Sequence, residues 1–226
     1  MENPTPNPEL LRSLGRLARG LSALFWGLPA ALIICAETVR MDFLQPYEVA
    51  PAIIANALLL FGLWQMSSFQ KQERPWRNAL DRAKLLGLVN LGLCPFLFWF
   101  NRMPGQGYFH TAINVLVLSA VFFLFNLNIV LQRLGAMLPD ETLRHDINQF
   151  SALNRWLLVV WLFLVILASV LPQLIDFSKI SQELLPWVLR GEIAALLFLG
   201  LSPLAVTMAL IWKTKEVIFD SVFGAR

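Results

Sequence analysis

The chain has 226 residues, of which 57% are hydrophobic and 15% are charged. A soluble domain usually carries about 25% charged residues, so this composition excludes an ordinary soluble globular protein. The net charge of +3 lies beside the apolar runs, which indicates lipid headgroups rather than nucleic acid as the acidic partner. We expect one polytopic membrane domain over residues 1–226.

Six apolar stretches predict six transmembrane helices in an all-α integral membrane protein, since each approaches the roughly 20 residues that cross a bilayer. Residues 1–19 are polar and basic, so we expect no cleavable signal peptide and a retained first span. Prolines predict kinks near Pro29, Pro95 and Pro203. The predicted spans are Leu21–Val39, Val49–Phe69, Leu85–Asn101, Phe109–Leu131, Trp156–Leu171 and Val188–Ile211.

The basic residues predict the orientation of these spans. Of the 18 lysines and arginines, all but Arg40, Arg102, Lys179 and Arg190 lie in the N-terminal segment, the second and fourth connections and the C-terminal tail. Because Lys and Arg resist translocation, this side is expected to be cytoplasmic. The prediction is therefore a plasma membrane protein, of bacterial type, with both termini in the cytoplasm.

Three amphipathic segments precede the odd-numbered spans: Glu9–Leu21, Pro75–Lys84 and Asp140–Asn154. Each combines an apolar helical face with basic or polar residues, and Pro75 is a favourable first helical residue. Such helices can lie in the membrane interface with their basic face toward anionic headgroups. We therefore predict three helical segments on the cytoplasmic membrane surface.

These segments also suggest an internal repeat of three hairpins. Leu14-Gly15-Arg16, Leu80-Asp81-Arg82 and Leu153-Asn154-Arg155 occupy equivalent positions, each ahead of a span and its return span. Leucine-rich sequences match one another by chance, so coincidence is the alternative explanation of the similarity.

Ionisable groups near mid-membrane would be costly and usually functional. The nearest ones, Glu37, His110 and Glu192, lie toward the outer ends of spans. Together they could form an outward-facing ligand, cation or proton site, because histidine titrates near neutral pH. The alternative is that they are hydrated or paired at headgroup depth, with Arg40 near Glu37 and Arg190 near Glu192.

Amides inside the spans are the stronger anomaly, because an unpaired amide is costly to bury in lipid. They are expected to face other helices, either as structural hydrogen-bonding groups or as the lining of a polar path. The pattern alone leaves both open, although structural pairing is the commoner use. These residues are Asn56, Asn90, Asn114, Asn126 and Asn128.

No motif indicates a catalytic, metal or cofactor site. Cys35 and Cys94 lie in apolar runs without zinc-type spacing, so we expect buried thiols and no metal. Serines within the spans lack a histidine at a matching level, which argues against an enzyme.

Two functions remain. The first is a non-catalytic multi-pass membrane subunit or scaffold that docks partners at its cytoplasmic face, either as a homo-oligomer or with other membrane subunits. The second is a small-solute permease or channel, or the membrane subunit of a larger transporter. Neither requires a cofactor, and both place the chain in a lipid bilayer.

Overall fold

The computed structural model describes residues 8–40, 47–70, 72–103, 105–138, 141–174 and 185–223. Within these ranges, the side chains at 8–11, 40, 142–143, 165, 167–174, 185–199 and 220–223 are not part of the description. The described residues form helices and turns and contain no strand. The helices are α1 (Pro8–Arg40), α2 (Ala50–Met66), α3 (Arg74–Leu93), α4 (Pro95–Arg102), α5 (Gly107–Met137), α6 (Glu141–Leu174) and α7 (Leu185–Phe223).

Four helical stretches are long and apolar enough to cross a bilayer, and α2 is a shorter apolar helix of 17 residues. The four are Arg12–Val39, Arg74–Arg102, Gly107–Met137 and Arg144–Leu164. This confirms an all-α chain and makes it a candidate multi-pass membrane protein.

The helices pack as three antiparallel hairpins, with α1 against α2, α3 against α5 and α6 against α7 as the most extensive contacts. Further contacts of α2 with α3, α5 with α6 and α7 with α1 close the six helices other than α4 into a ring. Helix α5 also contacts α7 directly, so these two lie across the middle of the bundle.

The break between α3 and α4 lies at the predicted kink near Pro95. Proline has no N–H with which to bond the carbonyl of Leu91, four residues earlier. The Cys94 thiol, whose sulfur lies 3.1 Å from this oxygen, donates to it instead. Helices α1 and α7 continue without interruption through Pro29 and Pro203.

The bundle has one end at which most basic residues lie, formed by the first turns of α1, α3 and α6 and the last turns of α2, α5 and α7; we call it the basic end. Many of the largest fully buried side chains lie in this half. They include Leu17 and Leu21 on α1, Trp76 and Leu80 on α3, Leu134 on α5 and Ile147 on α6.

The predicted helical state of the three amphipathic segments is confirmed, and their position at the membrane surface stays a prediction. The amphipathic segments are helical where described, but they are continuous with α1, α3 and α6. The apolar faces of the first two segments are buried against other helices of the same chain, whereas the third buries Ile147 and leaves Phe150 and Leu153 exposed. A helix of 31 residues such as α5 is about 46 Å long at 1.5 Å per residue. That exceeds the roughly 30 Å hydrocarbon core, so the surplus turns can pack on one another.

The proposed repeat is not matched in side-chain burial. Leu80 of α3 is fully buried, whereas its counterpart Leu153 of α6 is 51% exposed. Asp81 is exposed, whereas its counterpart Asn154 is fully buried. The third segment therefore presents a different face to the bundle. The three hairpins match the predicted unit in helix pairing but not in side-chain burial.

Candidate functional site

A buried hydrogen-bonded cluster joins α5, α6 and α7 through Asn128, Asn154 and Thr207; we call it the three-helix amide cluster. The Asn154 Nδ2 donates to the Asn128 Oδ1 at 2.9 Å and to the Thr207 Oγ1 at 2.8 Å. The Asn128 Nδ2 donates to the same threonine oxygen at 3.1 Å. These side chains are almost completely excluded from solvent, so each helix depends on the other two to satisfy its polar groups.

Every side-chain donor of the cluster is used. The second N–H of Asn128 reaches the Leu124 carbonyl of its own helix at 2.8 Å. The Thr207 hydroxyl donates to the Pro203 carbonyl at 2.7 Å. What remains is one acceptor, the Oδ1 of Asn154, which has no partner among the described residues. The cluster can therefore hold helices together or accept one further hydrogen bond, but it offers no donor to a ligand.

The cluster lies toward the basic end rather than at mid-bundle. Asn154 is followed directly by Arg155, whose guanidinium Nε donates to the Ser151 carbonyl at 3.3 Å. One turn further toward the basic end, Gln132 of α5 and Asn148 of α6 are hydrogen-bonded at 3.0 Å. Beyond them, Asp146 of α6 and Lys213 of α7 form an ion pair. Among the described side chains of these helices, polar contacts thus lie at the cluster and beyond it toward the basic end.

The other predicted amides are not gathered at this site. Asn56 is buried on α2, where its Nδ2 donates to the Ala52 carbonyl at 2.9 Å and lies 3.8 Å from the Cys35 sulfur of α1. Asn90 is buried on α3, and its Oδ1 has no partner among the described residues.

Asn126 and Asn114 lie nearer the surface of α5. Asn126 is half-buried and bonds the Phe122 carbonyl of its own helix at 2.9 Å. Asn114 is exposed, so it departs from the expectation that every amide faces another helix of the chain. The reason is its position on α5: Ile113 packs against the small outer core cluster and Leu116 belongs to it, and Asn114 lies between them on the outward side.

The described contacts do not join Glu37, His110 and Glu192 into one site. Glu37 is half-buried on α1. His110 is exposed on the first turns of α5, with its ring edge-to-face against Phe100 at 4.7 Å between centroids. Glu192 lies in α7, and its side chain is outside the described part of the structure. Among the described residues, no group of three or more His, Cys, Asp or Glu side chains could hold a metal ion.

Two members of the three-helix amide cluster escaped the sequence analysis. Asn154 ends the amphipathic segment Asp140–Asn154, which is predicted to lie at the membrane surface, and Thr207 lies in an apolar helix without any distinguishing pattern of charge. The sequence does place Thr207 four residues after Pro203. A threonine hydroxyl often bonds the carbonyl one turn back, so this spacing could have indicated a buried hydroxyl at Thr207.

Comparison with known proteins gives no relative for this chain: no family model, no curated protein and no solved structure matches it.

Proposed function

We propose that the chain is a non-catalytic multi-pass membrane subunit that crosses the bilayer six times and docks partner proteins at its basic end in the cytoplasm. The six spans are α1, α2, α3 with α4, α5, α6 and α7. The basic residues support this orientation, because they concentrate at one end of the bundle and resist translocation.

The observation that carries the proposal is that every side-chain donor of the three-helix amide cluster is already hydrogen-bonded. A permeation path needs polar groups that can exchange partners with a passing solute. Here every side-chain N–H and O–H of Asn128, Asn154 and Thr207 donates to another member of the cluster or to a backbone carbonyl of its own helix. Leu127 and Leu131, which flank Asn128 on α5, are fully buried. This arrangement favours structural pairing of helices over a polar path.

Docking is supported by apolar side chains exposed at the basic end. Phe150 and Leu153 of α6 are 43% and 51% exposed and are neighbours on one helical face. They lie between the exposed Arg144 and the half-buried Arg155. In the proposed orientation this part of α6 lies at or below the headgroups, where exposed apolar side chains favour contact with a partner.

Photo-crosslinking tests the docking surface. A photoreactive amino acid at position 150 or 153 is expected to give a discrete protein adduct in native membranes. The matched control is position 118, because Leu118 is similarly exposed but lies on the outer half of α5. It is expected to give lipid adducts alone. Lipid adducts alone at positions 150 and 153 would contradict the proposal.

The second candidate, a small-solute permease, is favoured by one observation. Four buried side-chain oxygens have no partner among the described residues: the Oδ1 atoms of Asn90 and Asn154 and the Oγ atoms of Ser119 and Ser151. Buried oxygens of this kind usually bind water, and a chain of such waters could form a path.

Solute flux and stability in purified variants separate the two functions. We expect Asn154→Leu to lower the free energy of unfolding by about 1–2 kcal/mol, because it removes hydrogen bonds to both neighbouring helices. Proteoliposomes carrying the wild-type protein should swell no faster than empty liposomes in urea, glycerol or salt. Asn114→Leu is the control, since Asn114 is exposed, and its stability should be unchanged. Rapid wild-type flux that Asn154→Leu blocks without unfolding would establish the permease instead.

A further inference from the structure

A groove of about 510 Å³ opens on the surface of the bundle between α3 and α5, toward the basic end. We call it the α3–α5 groove. It is separate from the three-helix amide cluster, although Asn126 lies close to Asn128 on the same helix. Its walls are formed by Asp81, Arg82, Leu85, Leu86, Phe122 and Asn126.

The groove is divided along its length into an apolar part and a polar part. Leu85 and Phe122 are 63% and 44% exposed, and with Leu86 they form the part farther from the basic end. Asp81 and Arg82 lie one turn nearer the basic end on α3, and Asn126 lies one turn nearer on α5. A ligand that fills this groove must itself be apolar at one end and polar at the other.

The polar part presents a cation together with hydrogen-bond acceptors. Arg82 makes no hydrogen bond or ion pair with the described residues, so its guanidinium can bind an anion. Asp81 shares one oxygen, Oδ1, with Lys84 at 3.3 Å, which leaves its Oδ2 available. Asn126 uses one N–H on its own helix and leaves its Oδ1 without a described partner.

We propose that the α3–α5 groove binds a glycerophospholipid with a phosphoethanolamine headgroup. Arg82 binds the phosphate, and the oxygens of Asp81 and Asn126 accept hydrogen bonds from the ammonium group. The first carbons of an acyl chain lie along Leu85 and Phe122. The inference rests on the membrane placement given under Proposed function, in which this end of the groove lies at the cytoplasmic headgroup layer.

Charge and hydrogen bonding select this headgroup among common phospholipids. The Oδ1 of Asp81 is paired with Lys84, and its Oδ2 can accept a hydrogen bond from an ammonium group, which an anionic lipid without an amine cannot supply. Phosphatidylcholine is a zwitterion, but its trimethylammonium group has no N–H to donate to Asp81 or Asn126. Losing charge-assisted hydrogen bonds predicts roughly tenfold weaker retention of phosphatidylcholine.

Native mass spectrometry tests the proposal. The full chain is purified from bilayers containing equal amounts of phosphatidylethanolamine and phosphatidylcholine with identical acyl chains. Loosely held lipids are then stripped by collisional activation. The wild type is expected to retain phosphatidylethanolamine about tenfold over phosphatidylcholine. Equal retention of the two lipids would overturn the assignment.

Three variants locate the binding to the groove. Arg82→Gln should lower retention of both lipids about tenfold, because the phosphate loses its cation. Asp81→Asn should bring the ratio of the two lipids toward one while total retention changes less. Arg77→Gln is the matched control, since Arg77 is an exposed arginine of α3 outside the groove. Equal losses in Arg77→Gln and Arg82→Gln would show general charge attraction and refute the site.

Two further measurements separate the sources of failure. Millimolar glycerophosphoethanolamine, which lacks acyl chains, should not displace the retained lipid; displacement would mean that a soluble phosphodiester is the ligand. A liposome flotation assay with the same samples tests membrane placement. Protein that fails to float would overturn both the proposed function and this inference. Protein that floats without lipid preference would overturn this inference alone.

Discussion

Thr207 is the residue on which α5, α6 and α7 converge, because its single oxygen accepts hydrogen bonds from two asparagines and donates one to its own helix. Thr214, two turns along α7, is also fully buried, and its hydroxyl also donates to the carbonyl one turn back, at 2.7 Å. No described side chain from another helix bonds Thr214. Both threonines therefore donate a hydrogen bond to their own helix, but only Thr207 also accepts hydrogen bonds from described side chains of other helices.

The substitution Thr207→Val should lower the free energy of unfolding by about 1–2 kcal/mol, because two buried amide donors lose their acceptor. Thr214→Val should change it by well under about 1 kcal/mol, since only an intrahelical bond is lost. Equilibrium unfolding in detergent micelles provides the measurement. Equal losses at the two positions would mean that the interhelical bonds contribute little.

At the level of single residues, the sequence shows which amides lie in apolar helices, but it does not show which side chains they bond. Asn128 stood out because an amide in an apolar run is costly. Asn154 does not stand out in the sequence, because it ends an amphipathic segment next to Arg155 and its burial depends on how α6 is rotated against α5 and α7. That rotation is set by side-chain packing such as Ile147 against Gly135, which periodicity does not reveal.

Close backbone contact between α1 and α2 is the clearest feature at the scale of helices. A methyl group added at Gly20 would lie 2.7 Å from the carbonyl oxygen of Gly62, and one added at Gly62 would lie 2.9 Å from that of Gly20. Both carbonyl oxygens are backbone atoms, so neither can avoid the added methyl group by a change of rotamer. The pair therefore fixes the closest approach of the first hairpin, as small residues commonly do between membrane helices.

Replacing Gly20 with alanine should separate these helices and lower the free energy of unfolding by about 1–3 kcal/mol, as overpacking does. Gly15→Ala is the control on the same helix, because nothing lies within 4 Å of an added methyl there. It should raise stability by roughly 0.5–1 kcal/mol through helix propensity. Thermal unfolding of the two purified variants gives the comparison, and a stabilised Gly20→Ala would refute the close contact.

For helices, the sequence predicted a helical state at all six spans and in the amphipathic segments, because apolar length and periodicity are local properties. It did not predict that those segments would continue the spans as a packed bundle. Trp76 illustrates the reason: its indole N–H donates to the Phe69 carbonyl at 3.2 Å, across the turn from α2. That contact makes Trp76 a core residue, whereas an apolar helical face by itself suits lipid equally well.

For the whole molecule, the proposed orientation rests on the charge distribution, and cysteine labelling tests it. In a chain with Cys35 and Cys94 replaced by alanine, the substitution Gln106→Cys should react with a membrane-impermeant maleimide in intact cells. Gln72→Cys and Thr142→Cys should react only after permeabilisation, because they lie at the basic end. The reverse pattern of labelling would invert the orientation and with it the cytoplasmic docking surface.

The contact of α1 with α7 has a consequence for synthesis in the cell. The rings of Phe25 of α1 and Trp212 of α7 are in contact, tilted by 48° with 5.6 Å between their centroids, although all the other helices are synthesised between them. The ribosome delivers helices in order, and the first hairpin can form as soon as α2 follows α1. The flank of α1 that meets α7 must then wait for its partner until the ring closes. During that interval, this flank of α1 has no partner within the chain, and the ring of helices is incomplete at this one contact.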